Sequence, residues 1–300
     1  MYENFYHLSG KPFSLLPDAE FLFLSRRHRR VVNLLEYGIL TQAGFVVITG
    51  EVGAGKTTII RRYLKEAGHD VTVGVINNPS DSLGNLLGWM TMAFELEHKG
   101  MQDTASLYNA FIEFLLAQYA LGKRTILIID EAQNLKADML EELRMLSNVN
   151  NEKDQLLQII LVGQPELLDT LKRPELRQFV QRISVHCHLE SLAAAETGAY
   201  IRHRLSVVGG EPHVFDDRAC AAVYYFTCGV PRLINLLCDQ ALMYGFSDDR
   251  SVVDAELVSE VAVDRGKSGL SPFRHIPNTV SWDEISAELD KITEEIRADS

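Results

Sequence analysis

The feature that most constrains this chain is a glycine-rich turn between an apolar run and a helical pattern. Residues 50–57 read GEVGAGKT and fit the pattern G-x-x-x-x-G-K-[ST]. The apolar run Phe45–Thr49 precedes the turn, and the amphipathic stretch Thr57–Ala67 follows it. A strand, such a turn and a helix in this order predict a parallel α/β sheet whose turn binds phosphate groups. The alternative, a glycine turn with a surface lysine, does not account for the flanking strand and helix.

Each residue type in the turn suits a phosphate ligand. Glycines let backbone N–H groups converge on the phosphates, and the start of the following helix adds a partial positive charge. Lys56 would reach the β- and γ-phosphates, and the Thr57 hydroxyl would ligate Mg²⁺. The predicted ATP-binding residues of the turn are Gly50, Glu51, Val52, Gly53, Ala54, Gly55, Lys56, Thr57 and Thr58.

Short β-branched runs alternate with helical patterns through the first two thirds of the chain. The predicted strands are Phe45–Thr49, Val71–Ile76, Thr125–Ile129, Gln158–Val162 and Ile183–His186. Strands separated by crossover helices predict an α/β fold with a parallel sheet flanked by helices. Strand patterns stop after residue 190, and helical patterns at about 193–207, 216–227, 231–245 and 254–264 predict a small all-helical lid domain.

These patterns divide the chain into four parts. Residues 1–28 carry scattered aromatics and prolines, Pro17 among them, and are predicted to form an extended arm without regular structure that packs on a domain. A helix at about 29–42 opens the α/β domain, 29–190, and the lid follows at 191–266. Residues 267–300 form a linker and an acidic amphipathic helix, Ser281–Arg297. That helix docks a partner, packs on its own domain or merely frays.

Composition limits the class of protein. The chain has 300 residues, 46% of them hydrophobic, which suffices for a core without disulfides or metal. A net charge of −12 argues against broad binding to nucleic acid or anionic lipid. The start lacks a signal-peptide pattern and no apolar stretch is long enough for a membrane span, so we expect a cytoplasmic protein. Cys187, Cys220, Cys228 and Cys238 show no C-x-x-C spacing and are expected to be reduced and buried.

Two carboxylates follow the apolar run 126–129. Asp130 and Glu131 would lie at the carboxyl end of a central strand, where open α/β sheets bind ligands. Asp130 would hold Mg²⁺ through its water shell, and Glu131 would act as general base on the attacking water. A strand that ends at the surface in two solvated acids is the alternative.

Several motifs together carry a family resemblance. They are Gly50–Thr58, Asp130-Glu131-Ala132-Gln133, Val162-Gly163-Gln164-Pro165-Glu166-Leu167 and Gly229-Val230-Pro231-Arg232-Leu233-Ile234-Asn235. With the opening from Met1 to His28, they resemble the AAA+ ATPases of the general secretion pathway protein A (ExeA-like) family. The closest similarity is to the ATPases associated with exosortase (PEP-CTERM) and exopolysaccharide systems. It covers about residues 1–268. Longer relatives continue into a membrane span and a peptidoglycan-binding region, whereas this sequence stops, which puts a direct cell-wall role in doubt.

The resemblance implies further site residues. Gln164 would be the sensor 1 residue and Arg232 a sensor 2 arginine in the lid. An arginine finger acting on a neighbouring subunit would be Arg182, which we favour, or Arg177. From the residues alone, Gln164 could also be a turn residue before a proline, and either arginine could form an internal ion pair.

Two remaining features keep open interpretations. Asn77, with Asn78, ends the second strand and either restrains Glu131 or forms a plain turn. The basic run at residues 26–30 is a solvated helix start, or it contacts nucleic acid, lipid phosphate or another subunit.

The resemblance implies an ATPase that binds and hydrolyses ATP with Mg²⁺ in a homo-oligomer, in which a hexamer is one option. Its partners would be secretion or polysaccharide-export proteins at the inner-membrane face. The alternative is a DNA-associated AAA+ regulator of the initiator or transposition type. The net charge, and the roughly 35 residues after Arg265, too few for a winged-helix domain, count against that alternative. A scaffold that binds ATP and barely hydrolyses it is a third option, against which the intact Glu131 argues.

Overall fold

The structure is a computed structural model of the whole chain. It describes residues 1–16, 18, 20–66, 70–79, 85–96, 103–151, 154–267, 269, 271–275 and 282–298. No helix within those ranges is both long and apolar enough to cross a membrane. Pro17, Ala67, Ser281 and part of the predicted linker lie outside the described residues.

The chain separates into two compact units. The helical unit contains residues 1–25, 53–58 and 190–300, and the sheet unit contains residues 26–52 and 59–189. The glycine-rich turn is therefore divided: residues 50–52 group with the sheet unit and residues 53–58 with the helical unit.

The sheet unit is built on a parallel five-stranded sheet. The strands of the described residues are β1 (Phe45–Gly50), β2 (Val71–Asn77), β3 (Arg124–Asp130), β4 (Asn150–Asn151), β5 (Asp154–Gln155), β6 (Leu157–Gly163) and β7 (Ile183–Leu189). The order across the main sheet is β2-β3-β6-β1-β7, and all its pairs are parallel. Because parallel strands need crossover connections, helices separate them in the chain. The predicted α/β fold with a parallel sheet is confirmed.

Thirteen α-helices occur among the described residues. They are α1 (Tyr2–Phe5), α2 (Arg26–Leu40), α3 (Lys56–Glu66), α4 (Leu86–Ala93), α5 (Thr104–Ala120), α6 (Ala137–Leu146), α7 (Glu166–Leu171), α8 (Arg177–Val180), α9 (Ala194–Val207), α10 (Asp217–Thr227), α11 (Pro231–Ser247), α12 (Ala255–Lys267) and α13 (Trp282–Ala298). A 3-10 turn, Ala132–Asn134, follows β3 after Glu131.

The central strands are buried on both faces. Every residue of β1 and β6 is buried, as expected for strands covered by helices on each side. Phe45 of β1 contacts Phe179 of α8, with ring centroids 4.6 Å apart. The edge strand β7 instead alternates between buried and exposed residues. Because polar residues interrupt the apolar ones along β7, the sequence prediction ended this strand at His186, three residues before its observed end.

The helical unit has its own core, to which the N-terminal arm contributes. Tyr2, Tyr6 and Phe13 are buried in that core. The guanidinium of Arg204 is buried as well, and donates to the backbone carbonyls of Pro12 (2.5 Å) and Ser14 (3.2 Å). These contacts fix the arm on α9. The prediction that the arm lacks regular structure is wrong at its start, where α1 forms.

The C-terminal helix α13 packs on α9 and α10. Its stripe of Ile285, Leu289, Ile292 and Ile296 is buried. A Cβ at Gly198 would lie 3.0 Å from Ile296, which shows how closely the two helices approach. Of the three interpretations left open by the sequence, the structure shows the helix packed on its own domain.

One cysteine differs from its prediction, and one small strand pair was not predicted. Cys187, Cys220 and Cys238 are buried free thiols, and burial raises the pKa of Cys187 to about 11. Cys228 is exposed, contrary to the prediction, because it ends α10 in the left-handed conformation at φ 49°. The small antiparallel pair β4–β5 was not predicted either, since strands of two residues leave no periodic pattern.

Candidate active site

Three central strands bring polar residues to one edge of the sheet. The register pairs Thr49 of β1 with Gly163 of β6, and Ile129 of β3 with Leu161 of β6. The strands are parallel, so their carboxyl ends share an edge, and Gly50, Asp130 and Gln164 are the residues at or just beyond those ends. Open α/β sheets bind ligands along this edge.

The glycine-rich turn has the backbone that a phosphate-binding loop requires. Gly53 and Gly55 have φ angles of +81° and +99°, a region that glycine adopts without steric cost. Helix α3 then begins at Lys56, whose residue is only 7% exposed. Residues in this conformation followed by a helix start direct successive N–H groups to one side, which suits an anionic ligand.

Arg232 lies next to this turn within the helical unit. Its backbone N–H donates to the carbonyl of Gly53 at 3.3 Å. A Cβ at Gly53 would lie 2.5 Å from the Cβ of Arg232, so only glycine fits beside it. Arg232 itself is exposed near the start of α11. The predicted sensor 2 residue thus contacts the predicted phosphate loop.

The two predicted carboxylates follow one another at the end of β3. One oxygen of Asp130 accepts a hydrogen bond from the Glu131 backbone N–H at 3.0 Å. Glu131 adopts the left-handed conformation, with φ 56° and ψ 40°. Residues other than glycine rarely adopt this backbone conformation, which costs them about 1–2 kcal/mol.

Amide groups hold the Glu131 carboxylate. Its Oε2 accepts from Nε2 of Gln164 at 3.0 Å and from Nε2 of Gln133 at 2.6 Å. The structure therefore brings together Glu131 and the predicted sensor 1 residue, which are 33 positions apart. We did not assign a role to Gln133 from the sequence, where it was only one letter of the D-E-A-Q motif.

The asparagines at the end of β2 lie beside this group. Asn77 pairs with Asp130 in the sheet register and is exposed. The Oδ1 of Asn78 accepts from Nδ2 of Asn134 at 2.8 Å. The two hydrogen bonds described above for Glu131 come from glutamines, so a restraint of Glu131 by Asn77 stays a prediction.

The two candidate finger arginines differ in their contacts. Arg182 is partly buried, and its Nη1 donates to the Arg144 carbonyl at 3.3 Å and to Oγ of Ser147 at 3.1 Å, at the end of α6. Arg177 is exposed, and its guanidinium has no hydrogen-bond or ion-pair partner within the described part of the chain. Arg182 would have to leave α6 to reach another subunit, whereas Arg177 would not.

A threonine and two histidines also lie at this edge. Oγ1 of Thr49 is 3.0 Å from Nδ1 of His188 and 3.3 Å from Nε2 of His186. Burial, followed by the neighbouring His188, lowers the pKa of His186. These contacts explain the pattern His186-Cys187-His188: the histidines lie on one face of β7 and Cys187 on the other. Among the described residues, no group of three or more His, Cys, Asp or Glu side chains could hold a metal ion.

The side chains available at this edge fit a nucleotide with a magnesium ion. Asp130 at this edge and Thr57 within the glycine-rich turn each carry a hard oxygen, and magnesium in nucleotide sites commonly takes one or two protein ligands and keeps several waters. A site with so few protein ligands does not require a cluster of three acidic or histidine side chains.

Comparisons with known proteins agree with this geometry. Residues 39–171 match a family described as an AAA domain. General secretion pathway protein A of Aeromonas hydrophila is 40% identical over 247 residues, which are 82% of this chain and 45% of that protein. ATP-dependent target DNA activator B of Escherichia phage Mu is 30% identical over 132 residues, 44% of this chain and 39% of that protein. This chain therefore spans less than half the length of either relative.

A solved structure shows the same fold. The ORC2 protein of Aeropyrum pernix, in its ADPNP and ADP complexes, superposes with a TM-score of 0.60 at 17% identity, covering 86% of this chain and 72% of that one. The chain thus has the fold of a P-loop AAA+ ATPase, carries an AAA-type ATPase domain, and is similar over most of its length to general secretion pathway protein A.

Proposed function

We propose that this chain binds ATP with Mg²⁺, hydrolyses it at a site completed by a second copy, and uses the cycle to switch a secretion or exopolysaccharide-export system. The observation that carries the proposal is the contact of Glu131 with Gln164 at the sheet edge where the glycine-rich turn begins. A general base and a water-orienting amide must lie within reach of one water.

The chain's own residues divide the work. The turn and Lys56 bind the phosphates, Glu131 accepts the proton of the attacking water, and Gln164 orients that water. Thr57 and Asp130 would hold magnesium, which supplies positive charge against the phosphate oxygens. Arg232, through its position on Gly53, would respond to the phosphates.

Completion by a second copy rests on the arginine finger. Arg182 is our choice and Arg177 the alternative, and a finger from a neighbour would stabilise charge that develops on the transferred phosphoryl group. Assembly would then gate hydrolysis.

The partner follows from the relative that covers most of the chain. General secretion pathway protein A is a secretion protein by its name, and the match covers 82% of this chain. We therefore place the partners among secretion or polysaccharide-export proteins at the inner-membrane face, with this chain cytoplasmic or peripheral there. The narrower association with exosortase systems rests on the motif resemblance.

A second candidate function has its own support. The phage Mu relative is named a target DNA activator, and Arg26, Arg29 and Arg30 are exposed at the start of α2. A DNA-associated regulator would use such a patch. The net charge of −12 opposes contacts beyond that patch, so we rank this function second.

Calorimetry with Lys56→Ala tests nucleotide binding. Loss of a charged contact to phosphate should weaken ATP affinity about 10- to 100-fold or more. Lys172→Ala is the matched control, because that side chain is exposed on the surface of the sheet unit. Equal affinities in the two variants would refute the assignment of the turn.

Glu131→Gln separates binding from hydrolysis and identifies the partner. It should bind ATP normally and lose turnover by about 10²- to 10⁴-fold, because an amide cannot accept the proton. The same variant should hold the ATP state long enough for capture from its host. Recovery of envelope or polysaccharide-synthesis proteins supports the proposal, and recovery of DNA instead supports the second candidate.

A further inference from the structure

Gln133 connects two parts of the candidate site that are distant in the chain. Its Nε2 donates to Oε2 of Glu131 at 2.6 Å, and its Oε1 accepts from the backbone N–H of Gln164 at 3.0 Å. Gln164 in turn donates through its own Nε2 to the same Oε2 of Glu131 at 3.0 Å. The three residues therefore form a closed ring of hydrogen bonds.

A carboxamide of this length fills the middle position. One group must donate to a carboxylate and accept from a backbone N–H, and a primary amide does both. A carboxylate could accept but not donate, and an ammonium could donate but not accept. Asparagine has the same amide on a side chain that is one methylene shorter.

Gly163 makes room for this arrangement. A Cβ at Gly163 would lie 3.1 Å from Oε1 of Gln133, 3.3 Å from the Gln133 backbone nitrogen and 3.0 Å from Cδ2 of Leu167. Those separations are tighter than most Cβ contacts, so a larger residue would push Gln133 away. The end of β6 is thus shaped to admit Gln133.

The turn that carries Gln133 is also tied to the far side of β3. Nδ2 of Asn134, the next residue, donates to Oδ1 of Asn78 at 2.8 Å, just beyond the end of β2. The backbone N–H of Asn78 donates to the Asp130 carbonyl at 3.3 Å. The 3-10 turn is therefore fixed on both sides, which limits the movement of Gln133.

From these contacts we propose that Gln133 is a positioning residue that fixes the Glu131 carboxylate against Gln164, so that both act on the same water. The inference rests on the proposed function, in which Glu131 is the general base. The Gln133 side chain hydrogen-bonds to Glu131 and Gln164, and its effect on turnover passes through them.

Two substitutions separate positioning from support of the fold. Gln133→Met keeps the length and loses both hydrogen bonds. Gln133→Glu keeps the acceptor for the Gln164 N–H, loses the donation to Glu131 and places a second negative charge beside that carboxylate. If Gln133 positions Glu131, both variants should lower kcat by about 10- to 100-fold while KM for ATP changes little and the domain stays folded at the assay temperature.

Gln118 provides the matched control. Its Oε1 accepts from the Thr72 hydroxyl at 2.7 Å, within the sheet unit and at the start of β2, away from the edge that carries Glu131. Gln118→Met and Gln118→Glu should leave kcat unchanged. Gly163→Ala should lower kcat in the same direction as Gln133→Met, because its Cβ displaces the same side chain.

The outcomes are distinct. Loss of activity in Gln133→Met with retention in Gln133→Glu would show that Gln133 only supports the Gln164 loop, and would overturn the proposal. A rise in kcat would show that Gln133 restrains the base, which also overturns it. Unchanged kcat in both variants, with Glu131→Gln inactive, removes Gln133 and leaves the proposed function standing. An active Glu131→Gln would instead refute the proposed function itself.

Discussion

Two glycines of the helical unit, Gly209 and Gly229, allow a test of how closely the chain packs around Gly229. Gly209 and Gly229 have nearly the same φ, +73° and +72°. A Cβ at Gly209 meets nothing within 4 Å, whereas a Cβ at Gly229 would lie 1.9 Å from the Leu192 carbonyl oxygen. Alanine at either position therefore pays the same backbone cost, and only Gly229→Ala adds a clash.

The magnitude follows from these contacts. The left-handed conformation costs alanine about 1 kcal/mol at both positions. At Gly229 the Leu192 peptide must also move by about 1 Å to restore a normal contact, which costs about 1–3 kcal/mol of the kind seen in overpacked cores. That movement weakens the bond from the Leu192 N–H to the Gly229 carbonyl, now 2.9 Å, worth about 1 kcal/mol.

We therefore expect Gly229→Ala to lower the free energy of unfolding by about 3–5 kcal/mol and Gly209→Ala by about 1 kcal/mol. Urea denaturation followed by circular dichroism at 25 °C measures both. Gly229→Ala should also weaken ATP binding, because Arg232 follows three residues later and contacts Gly53. Free energies within about 0.5 kcal/mol of each other would refute the steric argument.

Two other predictions concern charged residues. Arg182→Ala should lower the free energy of unfolding by about 1 kcal/mol through its lost hydrogen bonds at the end of α6, whereas Arg177→Ala should not. If Arg182 is the finger, a mixture of the Arg182→Ala and Glu131→Gln proteins should recover ATP turnover. Recovery only when Arg177→Ala replaces Arg182→Ala in the mixture would assign the finger to Arg177. The hydrogen bond to Arg297, and then the charge of Arg202, lower the pKa of Asp217 in the folded protein. The ionised Asp217 therefore stabilises the fold above the ordinary carboxyl pKa, and this stabilisation is lost as the pH falls through the lowered pKa of the folded state. Asp217→Asn should therefore lower the free energy of unfolding by under about 1 kcal/mol at pH 7. The difference in stability between this variant and the parent protein should vanish in acid. A difference that does not change with pH, or an equal effect of the exposed control Asp169→Asn, would contradict this.

The sequence predicted well what local patterns determine. Apolar runs placed each strand of the main sheet within three residues of its observed bounds. For the central strands the reason is that burial on both faces needs continuous apolar residues. The glycine-rich turn was also predicted from a local pattern, because Gly53 and Gly55 have φ angles that other residues avoid.

Contacts between distant residues could not be predicted in this way. Gln133 meets Gln164 31 positions away, and nothing in a D-E-A-Q motif states which strand end lies beside it. The place of α13 depends on Gly198 admitting Ile296, 98 positions later. In both cases a small or polar residue acquires its role from a partner that only the fold supplies.

The energies at Glu131 explain why its carboxylate needs the two glutamines. The left-handed backbone of Glu131 costs about 1–2 kcal/mol, and it turns the chain sharply at the end of β3. A hydrogen bond to a charged group contributes about 1.5–3 kcal/mol, so one amide roughly offsets the strain and two leave a surplus. Removing Gln133 takes away that surplus while Gln164 and the surrounding strands keep the fold. The base should then lose its fixed position before the domain loses its structure, because the bonds that hold the carboxylate are separate from the apolar contacts that hold the sheet.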